Sequence, residues 1–245
     1  MRDSLHLFQQ NRHNMYQRIG FPTLLLVFTF LSSCGGKKNA DSTAKNTTTI
    51  EQSGRNEADA DTTLSAVQPF IEKELALWVQ SFNDFNIDSF HQVVKREFQE
   101  NDYGDMATME QFYSFYKPSL SFSPDSSQFI DLYSSGISLE KRDKKIIAIG
   151  DVDQGVTLCN LKTKNWKSII SFGPSAGMEE ALWVSSTKFI LAGSMQNDDG
   201  NPQPVILLGD TDKKTFRWFE ASFIREKSAK YEASGFSKLK IDEWE

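Results

Sequence analysis

The chain has 245 residues, of which 39% are hydrophobic and 24% charged, and a formal net charge of −6. That acidic balance excludes the broad basic face on which nonspecific nucleic-acid binding depends, and it disfavours docking on anionic lipid. Beyond residue 34 only His91 and Cys159 remain of three histidines and two cysteines, which leaves no multi-histidine zinc centre and no disulfide there.

The first segment reads as an export signal. Arg2, Arg12 and Arg18 stand against one acid, Asp3, ahead of an uncharged apolar run over 21–31. Leu31-Ser32-Ser33-Cys34 follows, with small residues just before the cysteine. Basic leader, short apolar core and small-residue cleavage site are the parts of a secretory signal. The run is too short for a spanning helix, which needs ~20 residues. A signal starting at Met15 would contain the same core and cleavage site.

These residues resemble the lipobox of bacterial lipoproteins. The resemblance implies cleavage between Ser33 and Cys34, a diacylglyceryl thioether on Cys34, and acylation of the new amino terminus. The partner it implies is membrane lipid. Two or more acyl chains anchor a protein stably where one holds it only marginally. Gly35 stands where many inner-membrane lipoproteins carry an aspartate, so the same resemblance implies the outer membrane, with periplasmic and surface exposure both open. Loss of 1–33 leaves a mature chain of net charge −8.

Residues 35–62 contain one large apolar residue, Ile50. Such a stretch cannot offset its ordering entropy by burial and is expected to be a flexible tether. A coil of this length spans on the order of 30 Å.

Beyond it Leu64, Val67, Ile71, Leu75, Trp78 and Phe82 recur every three or four residues and predict an amphipathic helix. A second helix is expected from Asp88, with Phe90, Val93, Val94 and Phe98 on one face. A third is expected from Thr108, where Gln111 completes a capping box and Pro118 sets the limit. The many aromatics between 70 and 116 fall at core spacing in these helices, which sets aside a ligand cage.

After Pro118 the apolar period falls to two. Strands are expected over 128–134, 145–152, 155–161, 166–172, 180–185, 188–194, 204–210 and 215–221, with short polar turns between them. Connections this short build an antiparallel meander. Residues 146–150 echo 189–193 at an offset of 43, and 156–161 echo 205–210 at 49. Trp166 echoes Phe216, and the Ser123-Pro124-Asp125 turn has a plainer counterpart over 183–190. Over 119–221 the chain resembles β-propeller blades, which implies four-stranded units; two blades cannot close a ring. For residues 230–241 a final hairpin around Gly235 is expected, with Trp244 packing back.

Chemistry-bearing residues are sparse. Cys159 lies in a strand-like alternation and reads as buried packing. His91, the one histidine beyond the leader, reads as a surface residue. Asp151 with Asp153, and Asp198 with Asp199, sit in Asp/Gly turns that resemble weak calcium loops; turn chemistry alone accounts for them, and no metal is assigned. Glu179, Glu180, Asp210 and Asp212 are the carboxylates available for a hydrolase. No phosphate loop or nucleophile elbow occurs, so no cofactor and no catalytic residue are assigned.

The expected fold is α+β, mainly β: an antiparallel meander of blade-like four-stranded units with two or three N-terminal amphipathic helices. The expected organisation is a signal peptide over 1–33, a lipidated tether over 34–62, and one globular domain over 63–245, helical to 117 and β-rich thereafter. The expected function is an anchored envelope module that binds or scaffolds a protein, peptide or glycan, and not nucleic acid. A carboxylate-dependent hydrolase and a structural subunit of an envelope assembly are the alternatives.

Overall fold

The computed structural model describes residues 63–103, 109–225 and 231–245. The lipobox, the tether and the Thr108 cap lie outside these. Among the described residues no helix is long and apolar enough to cross a membrane.

Residues 64–80 wind as their spacing predicts. Thr63 caps α1 (Leu64–Glu74), its Oγ1 accepting from the Ala66 amide at 3.3 Å. The turn loosens at Leu75 and resumes as α2 (Ala76–Gln80). Leu64, Val67, Ile71, Leu75 and Trp78 are buried in one cluster with Ile190, Ala192, Ile206 and Leu208. Burial of each such side chain contributes roughly 1.5–3 kcal/mol, so tertiary packing stabilises these short helices.

The helix expected from Asp88 does not form. A single 3-10 turn, Ile87–Ser89, leads into strands β1 (His91–Glu97) and β2 (Asn101–Asp102). The Val93-Val94 pair is β-branched and favours extended backbone. Pairing at both ends of the run then decides the outcome. The Phe98 amide donates to Lys214 O at 2.8 Å and the Gln99 amide to Ile169 O at 2.9 Å, so the run steps from one sheet to another. Phe98 itself packs on Phe189 and Phe216. The third expected helix is α3 (Met109–Tyr116), which ends in a 3-10 turn, Lys117–Ser119, holding Pro118.

The remainder is mainly strand: β3 (Ser121–Phe122), β4 (Gln128–Asp131), β5 (Ile137–Arg142), β6 (Lys145–Gly150), β7 (Gln154–Asn160), β8 (Asn165–Phe172), β9 (Ala176–Trp183), β10 (Lys188–Gln196), β11 (Pro202–Asp210), β12 (Thr215–Glu220) and β13 (Glu243–Trp244). Three sheets result, in the orders β1-β12-β11-β10-β9, β2-β8-β7-β4-β3 and β13-β6-β5. Each five-stranded sheet is a four-stranded antiparallel meander with one edge strand lent by the run 91–102. The class is therefore α+β, mainly β.

The two meanders are built alike. Asn160 Oδ1 accepts from the amides of Lys162 and Thr163, and Asp210 Oδ1 from those of Asp212 and Lys213, all at 3.0 Å. Lys164 and Lys214 then take the same left-handed backbone, φ 55° and 53°. The echo of 156–161 in 205–210 thus lies on matching strands, β7 and β11. The echo of 146–150 in 189–193 does not. β6 belongs to a hairpin inserted between β4 and β7, whereas β10 corresponds to β4; short apolar runs look alike in any buried strand. That inserted hairpin turns at Asp143 and Lys144, both at positive φ, as a two-residue turn of type I′ requires. The described strands do not close into a ring.

The sheet centred on β10 and β11 is covered on both faces. Helices α1 and α2 lie on one; Phe189, Leu191, Val205, Leu207 and Phe216 fill the other in a cluster shared with the second sheet. Trp183 Nε1 donates to Ser121 O and Ser121 Oγ to Ala181 O, linking the sheets through β9 and β3. A Cβ at Gly209 would fall 2.1 Å from the Phe189 ring. Gly209→Ala is therefore expected to lower stability by about 1–3 kcal/mol, read as an earlier midpoint in urea unfolding.

Candidate functional site

A cluster of buried and half-buried polar groups forms around β9. Opposite β10, Glu180 pairs with Ala192 and Met178 with Gly193, so Glu179 is the extra residue of a β-bulge. A bulge re-aims a side chain and bends its strand. Gly193 makes this one feasible, because a Cβ there would meet Gly177 O at 2.0 Å.

Glu179 turns to Arg225. The guanidinium donates through Nη1 to Oε1 and through Nη2 to Oε2, both at 2.7 Å. Trp78 Nε1 adds a bond to Oε2 at 2.9 Å and Ser194 Oγ one to Oε1 at 3.1 Å. Four donors match the roughly four lone-pair sites of a carboxylate. Arg225 Nε donates to Ser81 Oγ at 3.0 Å, and Ser81 Oγ donates to Trp78 O. The Arg225 guanidinium also lies 4.5 Å from the Phe82 ring centroid and 4.7 Å from that of Tyr231, a cation–π contact on each. Only 8% of the Arg225 side chain and 20% of that of Glu179 remain exposed.

Glu180 is buried beside them. It accepts from Tyr231 Oη at 2.8 Å, from the Ser234 amide at 2.7 Å, and from Ser234 Oγ. Burial, together with the charges of Glu179 and Glu180, pushes the Tyr231 hydroxyl far above its ordinary range and keeps it a donor. Burial does the same to Tyr133, whose hydroxyl donates to Glu179 O.

A second buried carboxylate, Asp131, ends β4. Its Oδ1 accepts from the amides of Tyr133 and Ser134, and Ser134 Oγ donates to Oδ2. Tyr103 Oη meets Ser134 Oγ at 2.7 Å. Burial pushes the Asp131 carboxyl above its usual range. These bonds turn the chain out of the meander into the β5–β6 hairpin.

The residues named from sequence are placed as follows. Asp151, Asp153, Asp198 and Asp199 are exposed. Asn197 Oδ1 accepts from the amides of Asp199 and Asn201 and so supplies the turn chemistry of that loop. Among the described residues no three of His, Cys, Asp and Glu lie close enough together to hold a metal. His91 is exposed and opens β1, not a helix. Cys159 is buried in β7, where burial pushes its thiol up to about 12. Glu179 and Glu180 are held in the fold by the bonds above, and Asp210 caps a hairpin. Arg225 was not singled out in the sequence. No local pattern marks it there, since Phe223-Ile224 precede it and the charged Glu226-Lys227 follow it directly.

Compared with protein-family models, curated proteins and solved structures, this chain matches none.

Removing one member of a buried ion pair strands the other's charge, at a cost of about 3–5 kcal/mol. Arg225→Met alone is expected to lose that much on chemical denaturation. The double variant Arg225→Met with Glu179→Gln should lose clearly less than the sum of the single losses, because no charge is left stranded: the amide oxygen can accept from Trp78 while the amide NH2 donates to Ser194 Oγ.

Proposed function

We propose that this chain is a lipid-anchored lipoprotein of the bacterial cell envelope, on the outer membrane, whose β-rich part is a binding or scaffold module. The single observation that carries the reading is the pattern over 21–34: an uncharged apolar run, small residues, and Cys34. An anchor of two or more acyl chains holds stably without any spanning helix. The polar linker over 35–62 then lets the folded part work at a distance from the headgroups.

The module reading is supported by how ionisable groups are used inside the fold. Glu179, Glu180 and Arg225 spend their hydrogen bonds on joining segments of the chain, and Asp131 spends its own on turning the chain after β4. A general base needs a lone pair directed at a substrate proton, and Glu179 already accepts four bonds. The folded surface therefore acts by presenting sheets and edges to a protein, peptide or glycan of the envelope.

Cells fed labelled palmitate should incorporate it into the wild-type chain, and that chain should sediment with membranes. Cys34→Ala should abolish both results. Recovery of the uncut wild-type polypeptide from the cytosol would overturn the assignment.

A further inference from the structure

Among the described residues, the outer edge of β6 is covered by residues 242–245. β13 runs parallel to β6, with Glu243 beside Ile147 and Trp244 beside Ala148. The Asp242 amide donates to Ile146 O and the Glu245 amide to Ala148 O, each at 2.9 Å. The Ile146 amide donates to the Asp242 carboxylate at 2.7 Å. Beneath this strip β6 is strongly apolar, with Ile147 and Ala148 buried.

Charge adds a second layer. Lys141, Arg142, Lys144 and Lys145 fall within five residues at the β5–β6 turn, in a chain whose net charge is −6. Two of them hold the covering strip: Arg142 Nη1 donates to Glu245 at 2.7 Å, and Lys145 Nζ pairs with Glu243. All four side chains in these two pairs are about half exposed. Exposed pairs contribute little to stability and are screened by salt. Trp244 stacks on Phe236 at 6.2 Å and supplies the apolar contact. The strip is thus an extended acidic segment with an aromatic at its centre, held by a two-residue ladder and exchangeable ion pairs.

We propose that the β6 edge and its cationic turn form a strand-addition site for an extended acidic, aromatic-bearing peptide segment of an envelope partner, and that residues 242–245 occupy it in cis. Strand addition takes affinity from main-chain bonds and selectivity from flanking side chains. The cis segment displays both and so defines the chemistry of its competitor. This site rests on the reading of the domain as a binding module, whereas anchorage at Cys34 stands or falls separately.

The test uses the full chain in detergent and a fluorescent synthetic peptide of residues 239–245. Glu243→Lys with Glu245→Lys sets the cis segment against Arg142 and Lys145 and should release it. Freeing the edge raises the competent fraction, so this variant should bind the peptide about tenfold tighter than wild type. Adding Arg142→Glu and Lys145→Glu should abolish that gain, and high salt should weaken it. Trp244→Ala, which removes the stacking on Phe236 and the packing of the indole on the core, is the second releasing variant if the first does not fold. Peptide binding that stays equal in a folded releasing variant and in wild type overturns the site, as does binding indifferent to the charge at Arg142 and Lys145. Either failure alongside palmitate on Cys34 removes the edge and leaves the anchored module standing.

Discussion

The two-pronged ion pair between Glu179 and Arg225 is the constraint on which the arrangement of segments depends. It joins a bulged strand, the second helix through Trp78 and Ser81, and the stretch after β12. Tyr231 lies against the same guanidinium and binds Glu180, so the chain beyond Arg225 is referred to the same point. Buried ion pairs are poor net stabilisers, because desolvation consumes most of their attraction. Their effect here is on specificity: few alternative packings would satisfy a guanidinium fork, two aromatic faces and a saturated carboxylate at once. Gly193 belongs to the same device, since the bulge that aims Glu179 needs its missing side chain.

A second constraint is the management of sheet edges. Two four-stranded meanders would leave outer edges on β12 and β8, and the single run 91–102 covers both. The inserted β5–β6 hairpin adds an edge on β6, which Glu243–Trp244 covers, while β3, β5 and β9 end their sheets among the described strands. Open edges invite pairing with other chains. The β12 edge is closed by six paired positions of β1, whereas the β8 and β6 edges are each closed by a two-residue strand, β2 and β13. What sets the β6 edge apart is the make-up of its cover, an aromatic stacked on Phe236 between two acids paired with the β5–β6 turn.

Much of this architecture was legible from local rules. The spacing of Leu64, Val67, Ile71 and Trp78 marked the first helices, and alternation marked eight strands. The polar turns at Asn160 and Asp210 marked two hairpins. What escaped was set by distant partners. β1 carries an apolar spacing that also fits a helix, and the Val93-Val94 pair together with the waiting edge of β12 makes it a strand. β5 was missed because Asp143 and Lys144 turn with positive φ without the glycine or asparagine that signals such a turn. Glu179 and Glu180 were visible as acids, but their role depends on Arg225, which lies 46 positions from Glu179. No periodicity reports a contact of that kind. The expected Gly235 hairpin gave way to a 3-10 turn, Phe236–Lys238, and Trp244 did pack back. The pattern around Cys34 lies outside the described residues, and what it implies is decided by modification and not by folding.

Hydrogen exchange tests the central constraint most directly. The amides of Asn83, Arg225 and Ser234 bond to Ile224 O, Pro202 O and Glu180, respectively, at the three points where segments meet the ion pair. If Glu179 and Arg225 organise the fold, these amides should exchange as slowly as those of β10 and β11, through global opening. Exchange of all three at the rate of a frayed terminus, with β10 and β11 still protected, would contradict the account.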